Sequence, residues 1–198
     1  MTLRPLIQLP AATDKVEESQ EKGKILSVGE PKRFHALVNK GNKNVEDVFP
    51  PTIQKGDNFH WVSFGGWSMY HLISYVLKTT GPAHLLFSTW AISEQSARSL
   101  VLWKESGQLL SISGILDIRA RTRHEGAYHL IHGHCNHLVL AHCHAKIAVI
   151  YNQDWHITIL GSANFTENPR IEAGILTSND EVGVFHQNWL NNQINEHL

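Results

Sequence analysis

Cysteine is scarce in this chain: of 198 residues, only Cys135 and Cys143 carry a thiol. Two cysteines cannot make a disulfide framework, so the fold has to rest on a hydrophobic core, and a reducing cytoplasm is the expected compartment. Long apolar runs are missing as well. None approaches the roughly 20 residues that a bilayer crossing needs, so no membrane contact is expected. Residues 1–15, MTLRPLIQLPAATDK, hold no apolar core of the kind a secretory signal requires. There is no excess of positive charge either: 17 Lys and Arg face 18 Asp and Glu, for a net charge of −1. That excludes a globally basic nucleic-acid binder, and any anion site must be local. No segment repeats. What is present instead is 42% hydrophobic residues, enough for one domain with a proper core, and 14 histidines, an unusual number.

The chain divides near residue 55. Residues 1–54 carry Pro5, Pro10, Pro31, Pro50 and Pro51 and a polar run over 13–24, with apolar residues scattered at no sustained period. They read as a partly ordered N-terminal arm or linker, or as a basic arm in which Lys32, Arg33, Lys40 and Lys43 touch nucleic acid. The domain, 55–198, alternates strand and helix patterns. A strand over 59–64 ends at Gly65-Gly66. A helix over 68–78, with Ser68 as N-cap and Tyr70, Ile73 and Leu77 on one face, stops at Gly81-Pro82. A buried strand over 83–92 contains Leu85, Leu86, Phe87 and Trp90. Ser93 then caps a helix bearing Ala97, Leu100 and Val101, stopped by Gly107, and 109–116 is a third strand. A short helix is expected over 125–131, a strand over 173–176, and a C-terminal amphipathic helix marked by Val182, Phe185 and Trp189. The expected class is α/β: a mixed, largely parallel sheet flanked by helices on both faces.

The chemistry concentrates in residues 144–172, HAKIAVIYNQDWHITILGSANFTENPRIE. Two apolar, β-branched runs, 147–151 and 156–160, flank a turn-like Asn152-Gln153-Asp154, which predicts a β-hairpin. The side-chain period of two in an extended chain puts His144 and Lys146 on one face. The returning strand brings Gly161, Ser162 and Asn164 beside them. An ammonium, a hydroxyl, a carboxamide and an imidazole converging on one spot suit a phosphate, with His144 as nucleophile or proton carrier.

H-x-K followed by G-S-x-N resembles the phospholipase D superfamily of phosphodiesterases, on His144, Lys146, Gly161, Ser162 and Asn164. The resemblance covers about residues 142–176. It implies a phospholipase D-like fold and a metal-independent phosphodiesterase that forms a phosphohistidine. His144, Lys146, Asn164 and Glu172 would be catalytic, Ser162 would bind substrate, and no cofactor would be needed. Glu172 fits the acidic residue that often follows the family motif, as the group orienting His144. The family's short single-motif members pair as homodimers with the site at the two-fold axis. One H-x-K in this chain therefore implies a homodimeric endonuclease acting on DNA or RNA. A catalytically silent nucleic-acid-binding or assembly protein is the alternative. One departure stands out: the family pattern has an Asp five residues after the lysine, where this chain has Tyr151.

Two further clusters border the motif. Arg119, Arg121 and Arg123, in DIRARTR, share a face if that segment is extended. They read either as a charged edge that protects the sheet or as a phosphate-contacting, substrate-binding stripe. His132, His134, Cys135, His137, His142 and Cys143 offer nitrogen and sulfur ligands, but no pair has a recognised zinc-finger spacing, so no metal is assigned to them.

Overall fold

Eight short strands line up as one sheet, and the apolar runs at its centre bury both faces against helices. The structure is a computed structural model that describes residues 33–40, 44–167 and 169–198. The strands are β1 (Arg33–Asn39), β2 (Asp57–Ser63), β3 (Ala83–Thr89), β4 (Leu109–Asp117), β5 (His137–Ala141), β6 (Ile147–Tyr151), β7 (His156–Gly161) and β8 (Glu172–Thr177). Their order across the sheet is β1-β2-β8-β7-β6-β3-β4-β5. The β1–β2, β3–β4 and β4–β5 pairs are parallel. The β2–β8, β8–β7, β7–β6 and β6–β3 pairs are antiparallel, because the expected hairpin and the strand after it lie in the middle of the sheet.

Among the described residues the α-helices are α1 (Met69–Thr80), α2 (Glu94–Glu105), α3 (Ala120–Arg123), α4 (Glu125–His132) and α5 (Asp180–His197), and they flank the sheet on both faces. Alternate strand residues choose the side. Leu85, Phe87, Ala148, Ile150, Ile157 and Ile159 join the larger core beneath α1, α2 and α4. Leu86, Ile115, Val139, Ile147 and Val149 pack with Leu190 and Ile194 of α5 on the other face. The N-caps follow the residue types. Ser93 Oγ accepts from the Ser96 N–H at 3.2 Å, and Asn179 Oδ1 accepts from the N–H groups of Glu181 and Val182 at 2.9 and 3.2 Å. Among the described residues no helix is long and apolar enough to cross a membrane.

The sheet starts upstream of the expected boundary near residue 55. β1 lies in the segment read as an arm, yet it pairs with β2 along its whole length. Its anchors are polar: the buried Asp57 carboxylate accepts from Arg33 Nε at 2.8 Å and lies 3.1 Å from His35 Nε2. His35 also stacks on Phe59, ring centres 4.6 Å apart. Phe34 and Val38 on the opposite face are 62% and 54% exposed, so the strand lacks the continuous apolar run of a central one. Lys32 and Lys43 lie outside the described residues, as do residues 1–31.

Candidate functional site

β2, β3, β4, β5 and β7 all end at the same edge of the sheet, and β6 and β8 begin there. Loops at the carboxyl ends of parallel strands are where α/β sheets place their ligands. The lead-in to β6 carries His144 and Lys146 to this edge. Lys146 Nζ donates to the His144 carbonyl at 2.8 Å and lies 3.3 and 3.4 Å from the ring nitrogens Nδ1 and Nε2. Lys146 is buried while His144 is exposed, so an anion would meet the imidazole with an ammonium directly behind it. Burial holds the Lys146 ammonium below the ordinary lysine range, against the opposing pull of Cys143 and Glu172. The lead-in is tied down from β3, where Ser88 Oγ donates to the Ala145 carbonyl at 3.2 Å.

The hairpin forms as its residues predict. Ile147 pairs with Leu160 and Tyr151 with His156, and the Gly161 N–H donates to the Lys146 carbonyl at 3.2 Å. That register sets the G-S-x-N loop beside the H-x-K pair. The Asn164 carbonyl accepts from the Met69 N–H at 3.0 Å, and Asn164 Oδ1 accepts from Thr89 Oγ1 at 3.3 Å. Its amide N–H groups have no partner among the described residues. Ser162 is committed to β8: its hydroxyl donates to the Glu172 carboxylate, and its Oγ accepts from the Ala173 N–H at 3.0 Å. Glu172 thus reaches Ser162 and acts through space on Lys146. Among the described residues it makes no hydrogen bond to His144, so the orienting role expected of it is not a direct contact in this structure.

Tyr151, the departure from the family pattern, sits at the far end of β6. At about 3.3 Å per strand residue it lies roughly 17 Å from Lys146. It stacks between His84 and His156, ring centres 5.1 and 5.8 Å away. Burial raises its hydroxyl pKa. The substitution is a packing change at the hairpin end, remote from the chemistry.

The arginines correct one expectation. Residues 120–123 form the short helix α3, so the three arginines do not alternate along an extended stripe. On a helix, positions four apart share a side and the position between them turns away. Arg119 and Arg123 accordingly both lie over the Trp90 ring, their Cζ atoms 5.4 and 5.8 Å from its centre, and Arg121 has no such contact. Arg119 is held in a fork: Nε and Nη2 donate to the two Asp117 oxygens at 2.6 and 3.0 Å, and its N–H donates to Oδ1 at 3.1 Å. The guanidinium holds the Asp117 carboxyl down at about 2, helped by the Cys143 N–H. Sequence reading missed both Asp117 and Trp90. Trp90 lies one residue past β3, with its ring centre 6.0 Å from that of His144. The available signal was its place just after a buried strand, where a parallel sheet puts its site residues.

The histidine and cysteine cluster does not gather. His132 ends α4, His137 starts β5 and His142 follows it. Among the described residues no three His, Cys, Asp or Glu are placed to hold a metal ion. Burial pushes the Cys135 thiol up to about 12, leaving it a poor thiolate.

No family model matches the chain, and no curated protein matches its sequence. Solved structures do match. The phospholipase D family member Nuc from Salmonella typhimurium superposes with a TM-score of 0.51 at 15% identity, over 60% of this chain and 82% of that one. NucT from Helicobacter pylori gives 0.47 at 15% identity, over 58% and 79%. Polyphosphate kinase from Porphyromonas gingivalis gives 0.49 at 19% identity, over 65% of this chain and 24% of the kinase. The match to Nuc joins the mixed eight-stranded sheet with helices on both faces: the fold is that of the phospholipase D superfamily.

Proposed function

We propose that the protein is a metal-independent phosphodiesterase, an endonuclease that cleaves DNA or RNA through a phosphohistidine at a homodimeric site. The observation that carries this reading is the His144–Lys146 pair, with Nζ 3.3 Å from the imidazole at the carboxyl edge of the sheet. Phosphodiesters resist hydrolysis because their anionic oxygens repel a nucleophile. Lys146 and the free amide of Asn164 neutralise that charge, with Arg119 as a further cation at the rim. The neutral His144 ring attacks phosphorus, a P–N bond forms, and the P–O bond to the leaving group breaks. The departing oxygen needs a proton from the opposite side. One chain supplies only one such histidine, so the acid is His144 of a second copy, across a two-fold axis. Water then attacks phosphorus and gives its proton to the second copy's His144, the P–N bond breaks, and both histidines return to their starting states.

Charge neutralisation by side chains leaves no step that calls for a metal. The test is cleavage of labelled single- and double-stranded DNA and RNA in EDTA. Wild type should cut in EDTA, and His144→Ala should lose roughly a thousandfold or more in rate while still binding. Cleavage that requires added metal, or that survives the substitution, would sink the reading. Tight binding without cleavage by either protein would instead favour the silent nucleic-acid-binding role.

A further inference from the structure

We propose that Trp90, roofed by Arg119, is a stacking subsite for the nucleobase next to the scissile phosphate, which makes the preferred substrate single-stranded. The proposal rests on the phosphodiesterase reading and adds a subsite to it. Three observations carry it. First, Trp90 lies at the site: its ring is 6.0 Å from that of His144, centre to centre, inclined at 60°. Second, its polar edge is turned inward. The Nε1 atom is buried and has no hydrogen-bond partner among the described residues, so any ligand contact with this side chain falls on the ring and not on its donor. Third, of the two arginines over the ring, one is fixed in advance. Arg119 is held on two oxygens of an Asp117 that is 1% exposed, while the arginine side chain itself remains 51% exposed. Asp117 also takes the Cys143 N–H, which ties this shelf to the segment carrying His144.

Nucleobases stack on indole rings and on guanidinium planes alike, and the layered pair presents both beside the reactive histidine. A base inside a duplex is already stacked on both sides and cannot use the shelf; an unpaired one can. The donors of Arg119 that Asp117 does not occupy are left for the phosphate of the same nucleotide. Structural packing alone would equally keep Trp90 in place, so the test has to see the base itself.

A single-stranded dodecamer carrying one abasic residue, moved along the strand position by position, is the probe. With the wild-type chain in EDTA, one position next to the cut should raise KM about 10- to 100-fold with kcat little changed. Trp90→Ala should raise KM for the intact strand by a similar factor, and Trp90→Phe should recover most of it. The decisive result is non-additivity: the abasic residue at that position should cost Trp90→Ala nothing further. Uniform tolerance of the abasic scan by wild type, or losses from substitution and lesion that multiply, overturns the subsite. Dissociation constants of the same strands on His144→Ala, read by fluorescence anisotropy, separate the two readings. If nothing is cut but the binding losses remain non-additive, the subsite stands and the phosphodiesterase reading falls. If the binding losses are additive, the subsite falls whether or not the strand is cut.

Discussion

At the scale of single residues, the proposed reaction makes Lys146 the group that sets the pH response. Its ammonium has to be charged to meet a phosphate, yet burial favours the neutral amine and holds its pKa below the ordinary value of 10.5. The sign follows directly. As pH rises through the lowered pKa the charge is lost, so kcat/KM should fall on an alkaline limb that starts below the range of an exposed lysine. Lys146→Arg keeps its charge and should move that limb up and out of range, at a lower maximal rate; a limb that stays put belongs to another group. The same burial makes the charged lysine a burden on folding, so Lys146→Met should raise stability by about 1 kcal/mol while ending turnover, as a thermal melt and the cleavage assay would read together. His144, Lys146 and Asn164 were legible in the sequence because H-x-K and G-S-x-N are local patterns that a hairpin must bring together. Trp90 was not, since a tryptophan ending an apolar run looks like core until the end of the strand is known. Nor was Asp117, whose partners Arg119 and Cys143 approach from different loops.

At the scale of elements, the seam between β7 and β8 decides whether the site stays assembled. Gly161 and Gly174 are register partners across it. A Cβ on Gly174 would sit 2.5 Å from the Leu160 carbonyl and 2.7 Å from the Trp61 ring, and one on Gly161 would sit 2.6 Å from the Ala173 carbonyl. Backbone cannot yield to a methyl group without parting the strands. Ser162, the residue after Gly161, and Glu172, two residues before Gly174, share a hydrogen bond that spans the same seam. Gly174→Ala should therefore cost about 1–3 kcal/mol of stability, the usual penalty of overpacking. It should also slow turnover at temperatures where the variant is still folded. Unchanged melting would mean that the seam has room to spare. The helix capped by Ser93 was readable because the residue type names the cap. β1 was not, since its hold on the sheet is the Asp57 carboxylate and its outer face is exposed. The arginine segment was not, because R-x-R-x-R is compatible with a strand or a helix, and only α4 packing behind it settles the helix.

At the scale of the whole molecule, the proposed phosphohistidine reaction asks for two histidines. In-line displacement puts the nucleophile and the proton donor on opposite sides of phosphorus, too far apart for one imidazole to do both in the same step. The sequence holds one H-x-K, and the fold brings it to this edge at the head of β6. In the proposed dimer a second copy related by a two-fold axis would bring the missing acid without any new sequence. Light scattering at micromolar concentration should then give twice the mass of the chain, and a stable monomer that still cleaves would remove the shared site. Mixing supplies the sharper check. Wild type exchanged with an excess of His144→Ala forms dimers with one histidine, which hold either the nucleophile or the acid but not both. If the site is shared, total activity should fall with the square of the wild-type fraction, so activity per wild-type chain falls in proportion to that fraction. If each chain works alone, the mutant merely dilutes, and activity per wild-type chain stays constant.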